Sequence, residues 1–144
     1  VADPLFGRVI VPWEDFRSAD FDPPVEPAAQ PRFSPGDPVR GVVMALDGRA
    51  IEGEIRWGND ETQDWEFLDG SDGDLDFDIE FGAIAEIQKS TDDRVVVTLR
   101  DGRRFELQNS EAVADRHRGI LVQPEGRARR LVRWRDFDRV ILDR

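Results

Sequence analysis

Residues 42–52 read Val-Val-Met-Ala-Leu-Asp-Gly-Arg-Ala-Ile-Glu and align without gaps on residues 96–106, which read Val-Val-Thr-Leu-Arg-Asp-Gly-Arg-Arg-Phe-Glu. Each stretch places an Asp-Gly pair between two runs that favour β-structure. Glycine tolerates the positive φ that a tight turn requires, so each stretch predicts a β-hairpin. A repeat of this kind indicates that the chain contains copies of one small β unit.

A second pattern, apolar-x-aromatic-x-x-apolar-x-x-apolar, occurs three times. Its copies are Val11-Trp13-Phe16-Ala19, Ile79-Phe81-Ile84-Ile87 and Val132-Trp134-Phe137-Val140. A step of two keeps side chains on one face of a strand, and the steps of three fit a 3₁₀ turn that returns them to the same core. We therefore expect Trp13, Phe81 and Trp134 to occupy equivalent core positions. A short amphipathic helix over residues 83–88 is the alternative.

Together the two patterns predict an all-β protein made of tandem small barrels. We expect the first barrel at residues 38–88 and the second at residues 89–144, each running from a hairpin to a closing pattern. Residues 1–22 hold a closing pattern without a hairpin, so they are either the tail of a unit that begins upstream or a strand donated to one barrel. Residues 23–37 form a Pro-rich linker. Only residues 110–118 could hold a short helix.

The stretch 43–55, with its Asp-Gly-Arg turn and with Gly53 where a strand must bend, resembles the Sm-like and SH3-like small barrels. The Asp-Gly-Arg repeat with its aromatic ending also resembles repeat proteins of bacteria that have no assigned activity. The resemblance implies five-stranded barrels that finish with a short turn and a closing strand. Sm proteins bind RNA through particular loop residues, but Asn59 and the pair Arg118-Gly119 lack the expected context. RNA binding is therefore not implied.

The composition is acidic, with 31 acids against 20 bases and a net charge of −11 over 144 residues. Such a charge repels a phosphate backbone, so nucleic acid is not an expected partner. There is no Cys, which excludes disulfides and thiolate zinc sites, and no apolar run approaches membrane-spanning length. Because the sequence begins with Val1 and not Met, we expect a processed product or a fragment. Its basic residues are almost all Arg, which favours a bacterial source, and we favour an exported protein over a cytoplasmic one.

The charges are unevenly distributed along the chain. Residues 59–80 contain ten acids and no base, and acids alternate with apolar residues from Asp74 to Glu80. Residues 116–135 contain seven arginines against the single acid Glu125. We expect these clusters to face each other, within the chain or between copies of it, because opposite charges attract across an interface. The expected interaction residues in the basic cluster are Arg127, Arg129 and Arg130.

The acidic cluster also suggests a cation site. Carboxylate oxygens at this density are the ligands that calcium prefers, and the candidate ligands are Asp69, Asp72, Asp74 and Asp76. The spacing does not match the EF-hand loop, because Asp74 stands where that loop needs Gly. The alternative is a solvated strand face with a hairpin loop at residues 69–73.

The aromatic residues around the first hairpin suggest both a core and a rim. We expect Trp65 and Phe67 to fill the core of the first barrel. Trp57 either belongs to that core or lies at the rim as part of a binding platform for a peptide or a sugar.

No catalytic residue and no cofactor is predicted. His117 is the only His, it lies between two arginines, and we expect it on a polar loop. A serine triad would need Ser110 or another Ser beside it, and no nucleophile pattern is present.

The sequence therefore predicts a non-catalytic protein-interaction or structural module, whose partner is another protein or a second copy of the chain. The alternative function is a domain that binds a cation or a small ligand through the acidic strand at residues 69–80.

Overall fold

The structure, a computed structural model, describes residues 2–3, 7–20, 36–58, 60–114 and 116–143 of the chain. The predicted all-β class is confirmed, because the described residues form twelve strands and three 3₁₀ turns without an α-helix. The strands are β1 (Ala2–Asp3), β2 (Gly7–Ile10), β3 (Arg40–Ala45), β4 (Ala50–Trp57), β5 (Phe67–Asp72), β6 (Leu75–Glu80), β7 (Ile84–Thr91), β8 (Arg94–Leu99), β9 (Arg104–Gln108), β10 (Ile120–Gln123), β11 (Arg130–Val132) and β12 (Phe137–Leu142).

All twelve strands belong to one antiparallel sheet, in the order β1-β2-β6-β5-β9-β8-β7-β12-β3-β4-β10-β11. Among the described residues no pairing joins its two ends, so the sheet is not closed. None of the described segments forms a helix that is long and apolar enough to cross a membrane.

The strand pairing crosses the predicted boundary between residues 88 and 89. The hairpin β3–β4 pairs with β12 and β10, whereas the hairpin β8–β9 pairs with β7 and β5. Each hairpin is thus completed by the closing strands of the other predicted unit. We call β3, β4, β10, β11 and β12 the first strand group, and β5 to β9 the second strand group.

A local two-fold relation joins the two strand groups. β7 and β12 pair antiparallel through Ile87 and Val140, which hold the same place in the two closing patterns. The two Asp-Gly-Arg turns are also alike: Arg49 Nε donates to Asp47 Oδ2 at 2.6 Å, and the matching bond within Asp101-Gly102-Arg103 is 2.7 Å. The internal repeat therefore extends from the backbone to individual side-chain contacts.

The closing patterns of the two groups adopt the predicted conformation. A 3₁₀ turn begins at Phe81 in one and at Trp134 in the other, and both rings are buried. A strand, β7, follows the first turn, so the alternative of a helix over residues 83–88 is wrong. The described part of residues 110–118 forms turns and bends rather than a helix.

The N-terminal copy of the pattern shares the 3₁₀ turn of the other two, but no strand follows the turn at residues 16–20 and the environment differs. A 3₁₀ turn covers Trp13–Asp15, and β2 before it pairs with the edge of β6. Trp13 is 83% exposed and stacks on Phe16 at 5.4 Å between ring centroids. The expectation that Trp13 is a core residue equivalent to Trp134 is therefore wrong, because no hairpin among the described residues covers it. The linker at residues 23–37 lies almost wholly outside the described residues.

This exposure leads to a prediction about stability. We expect Trp13→Ala to change the free energy of unfolding by less than about 0.5 kcal/mol, as surface substitutions do, because little buried area is lost. Trp134→Ala, at the matching buried position, should destabilise the fold. Urea unfolding followed by circular dichroism measures both. A loss from Trp13→Ala as large as that from Trp134→Ala would show that the N-terminal ring is buried in solution.

The buried apolar residues of both groups form one core around Trp57. Trp57 is 1% exposed, whereas Trp65 and Phe67 are 47% and 41% exposed. The prediction that Trp65 and Phe67 fill the core is wrong. In β5 the alternation of a strand turns Leu68 inward and Phe67 outward, and Trp65 precedes the strand. Trp65 instead lies over Gly36, where an added Cβ would come within 2.3 Å of its ring.

Candidate protein-interaction surface

The hairpin β10–β11 forms one end of the sheet and carries most of the predicted basic cluster. The exposed arginines of this basic end are Arg127, Arg129, Arg130, Arg133 and Arg135. Its loop is held by Gln123, whose Nε2 donates to Arg127 O at 2.6 Å and whose Oε1 accepts a hydrogen bond from Arg129 Nε at 3.1 Å. Within the part of the chain that the structure describes, no acid pairs with Arg127, Arg129 or Arg130.

A groove of 850 Å³ lies between this hairpin and β4. At the base of the groove the backbones of β4 and β10 are in close contact, because a Cβ added to Gly53 would lie 2.3 Å from Gln123 O. Arg40, on its wall, is already paired with Glu54 at 2.5 Å. Arg127 and Arg130 are therefore the lining cations without an acidic partner among the described residues.

The acidic cluster lies at the opposite end of the sheet, on β5 and β6. The four candidate calcium ligands are all exposed, and they are Asp69, Asp72, Asp74 and Asp76. The predicted loop at residues 69–73 is mostly strand, and the turn is confined to residues 73–74. No group of three or more metal-ligating side chains comes together among the described residues. The structure thus brings no calcium site together from these carboxylates.

The two charged clusters do not meet within the chain. Eight strands separate β6 from β11 in the sheet, and no ion pair between described residues joins the clusters. The expectation of an internal contact is wrong for the described residues. Because each hairpin pairs with the closing strands of the other predicted unit, β6 and β11 lie at opposite ends of the sheet. Contact between copies stays a prediction.

The two ends are related by charge inversion. Ile79 and Val132 hold the same place in the closing patterns, and both preceding turns use a Gly with positive φ, Gly73 at 61° and Gly126 at 64°. With this alignment, acids of the second group fall where the first group has arginines. The matched positions are Asp74 with Arg127, Asp76 with Arg129, and Glu80 with Arg133. Extending the closing-pattern alignment toward the N-terminus would have revealed this inversion from the sequence.

Trp57, which the sequence left open between core and rim, and His117, which it placed on a polar loop, are both in the core. Trp57 Nε1 donates to Ala112 O at 2.9 Å, and the ring is too deeply buried to contact a partner. The rim position considered for Trp57 is therefore wrong. His117 is 6% exposed and lies 4.7 Å from Trp134 and 5.1 Å from Trp57 between ring centroids, so it is not on a polar loop.

The environment of His117 fixes its protonation. Its Nδ1 accepts a hydrogen bond from Gly119 N at 2.9 Å, so the proton of the neutral ring is on Nε2. Nε2 is buried and has no hydrogen-bond partner among the described residues. Burial lowers the pKa of His117 from 6.5 to about 4. Ser110 Oγ instead donates to Asp69 O at 2.8 Å, which leaves it outside any pairing with His117.

The exposed arginines of the basic end thus lie next to a groove and at a sheet edge. Comparison of the chain with protein-family models, with curated proteins and with solved structures gives no match.

Proposed function

We propose that this chain is a non-catalytic protein-interaction module that binds acidic protein surfaces through its basic end. The scaffold would be two small SH3-like or Sm-like barrels that have exchanged halves. Its support is the composition of each strand group: one hairpin, a second hairpin, a 3₁₀ turn and a closing strand, together five strands. This is the set of elements that the resemblance implies for one barrel.

The observation that carries the proposal is the absence of acidic partners, among the described residues, for Arg127, Arg129 and Arg130. Arginine forms planar, two-pronged hydrogen bonds with carboxylates, so exposed arginines at a sheet edge favour an acidic partner. The net charge of −11 opposes the continuous row of phosphates of a nucleic acid, whereas an acidic patch on a protein can contact the basic end alone. The acidic end of a second copy has the required charge, and a contact between opposite ends joins copies head to tail.

The double reversal Arg129→Glu with Arg130→Glu tests the proposal. We expect the parent protein to associate at low salt and to dissociate as salt rises, because the Debye length falls from about 10 Å at 0.1 M to about 3 Å at 1 M. The double variant should have the lower mass even at low salt. Sedimentation velocity at several concentrations measures the mass.

The matched control is Arg104→Glu with Arg116→Glu, which makes the same change of charge at two exposed arginines away from the basic end. It should leave the mass unchanged. A parent mass that neither salt nor the first double variant alters would contradict self-association. Binding of a duplex oligonucleotide by the parent, abolished in the first double variant, would instead show that the basic end serves nucleic acid.

A further inference from the structure

β6 and β11 hold equivalent places in the two strand groups, because each is the second strand of the hairpin that precedes the 3₁₀ turn. They differ in which strands lie beside them. β6 has β5 on one side and β2 on the other. β11 has β10 on one side, and among the described residues no strand pairs with its other side. The local two-fold relation thus leaves a strand position filled in the second group and open in the first.

The register of β2 on β6 defines that open position. β2 pairs antiparallel with residues 76–78, with Arg8 opposite Asp78 and Ile10 opposite Asp76. The equivalent residues near β11 are Arg129, Arg130 and Leu131. All three are exposed, and Leu131, an apolar residue, is 56% exposed.

The chemistry of the missing strand follows from the residues exposed along the open edge, where Leu131 holds the place of Asp78 and Arg129 that of Asp76. In the filled position, the basic residue Arg8 is opposite the acid Asp78 in the register. In the open position, Arg129 immediately precedes β11 and is two residues from Leu131, whereas Arg127 lies in the bend before them and lines the groove with Arg130. A strand that complements this edge needs an acid opposite Arg129 and an apolar residue opposite Leu131, because directly opposed residues interact across a ladder. A second acid further along the strand would lie near Arg127.

We propose that β11 accepts an antiparallel strand from an acidic, extended segment of a partner protein. Backbone hydrogen bonds would form along residues 129–131, as in other cases in which a peptide adds to an open sheet edge. One carboxylate of the segment is opposite Arg129, a second lies near Arg127, and an apolar side chain covers Leu131. This inference rests on the proposed function, since it specifies how the basic end binds its partner.

A synthetic peptide tests this mode of binding on the intact chain. The probe is Ser-Ile-Thr-Glu-Val-Glu-Ser with blocked termini, which runs antiparallel to β11 with Ile opposite Leu131, the first Glu opposite Arg129 and the second Glu near Arg127. Fluorescence anisotropy of the labelled peptide measures its affinity. We expect binding that weakens with salt and with Arg129→Glu plus Arg130→Glu, but not with Arg104→Glu plus Arg116→Glu.

Two N-methylated versions of the peptide distinguish strand addition from charge attraction. Successive N–H groups of a strand point to opposite sides, so methylating Ile and both Glu blocks one edge, whereas methylating Thr and Val blocks the other. Only one of the two versions should lose affinity, by about tenfold or more, because only one edge bonds to β11.

Equal affinities for the two methylated peptides, or failure of the unmethylated peptide to bind, would overturn strand addition. Both results leave the proposed function to be judged by the mass of the parent and of the charge-reversed protein. If the double reversal at residues 129 and 130 changes neither that mass nor the affinity for the peptide, the proposed function fails and the inference with it.

Discussion

Trp57→Ala is expected to lower the free energy of unfolding by about 3–5 kcal/mol, the usual cost of truncating a large buried aromatic side chain. The ring of Trp57 lies 5.6 Å from that of Phe137 and 6.1 Å from those of Trp134 and Phe81. Phe81 belongs to the second strand group, whereas Trp134 and Phe137 belong to the first. The substitution therefore removes packing within one group and between the two groups, and it leaves Ala112 O without its donor.

The matched control for this substitution is Trp65→Ala, the same change at a side chain that is 47% exposed. It should cost much less, because less area returns to water. Urea unfolding followed by far-UV circular dichroism compares the two variants with the parent. Should Trp57→Ala be too unstable to study, Trp57→Phe keeps part of the ring and should retain part of the stability. Equal losses from Trp57→Ala and Trp65→Ala would contradict the placement of Trp57 at the centre of the core.

Stability is expected to fall by about 3 kcal/mol between neutral and acidic pH because of His117. Burial lowers the pKa of this side chain from 6.5 to about 4 in the folded chain. Between these two values the unfolded chain binds a proton at His117 that the folded chain does not. Lowering the pH through this window therefore favours unfolding. The contribution of neutral His117 to the free energy of unfolding is fully present only above pH 6.5.

Three carboxyl groups also have shifted pKa values. Burial raises the pKa of Glu61, which acts in the opposite sense because the folded chain then holds a proton more readily than the unfolded chain. Glu61 and His117 both lie beside Gly58: a Cβ added there would be 3.2 Å from Glu61 Oε2 and 3.5 Å from His117 Nε2. Hydrogen bonds from the backbone N–H groups of Arg49 and Arg103 hold the pKa values of Asp47 and Asp101 below 3.8, so their effect begins below the window.

The variant His117→Asn isolates the contribution of the imidazole. Its Oδ1 can take the place of Nδ1 as acceptor for Gly119 N, and the side chain does not titrate. Urea unfolding of both proteins at about pH 7 and about pH 5 gives the change in stability of each across the window. The parent should lose more than the variant. Parallel losses in the two proteins would show that His117 is not the group responsible.

Much of the local structure could be predicted from the sequence. The runs that favour β-structure and the Asp-Gly pairs between them predicted the all-β class and both hairpins, since these depend on residues near each other in the chain. The steps of two and three around Phe81 and Trp134 predicted the strand, 3₁₀ turn and strand of each closing pattern. The same reasoning failed at Trp13, because local spacing fixes a backbone conformation and not the presence of a covering hairpin.

The candidate surface could be predicted only in part. Arg127, Arg129 and Arg130 were recognised from their density in the chain, and they lie at an exposed sheet edge. The internal contact with the acidic strand was wrong, because charge counts contain no information on which ends of a sheet the two strands occupy. The core position of Trp65 was wrong and that of Trp57 stayed undecided for a related reason: whether such a side chain is buried depends on residues contributed by distant strands.

The sequence by itself determined the repeated elements and their charges, whereas the tertiary structure decided which hairpin joins which closing strands. The two units are near copies, so their apolar faces satisfy the same pattern whether they pair within a unit or across units. A tight turn at residues 92–93 connects β7 directly to β8, with Thr91 opposite Arg94. Closing so short a loop costs little entropy and ties β7 to the hairpin that follows it. The first hairpin is then left to the closing strands at the end of the chain, which places the acidic and basic strands at opposite ends of the sheet.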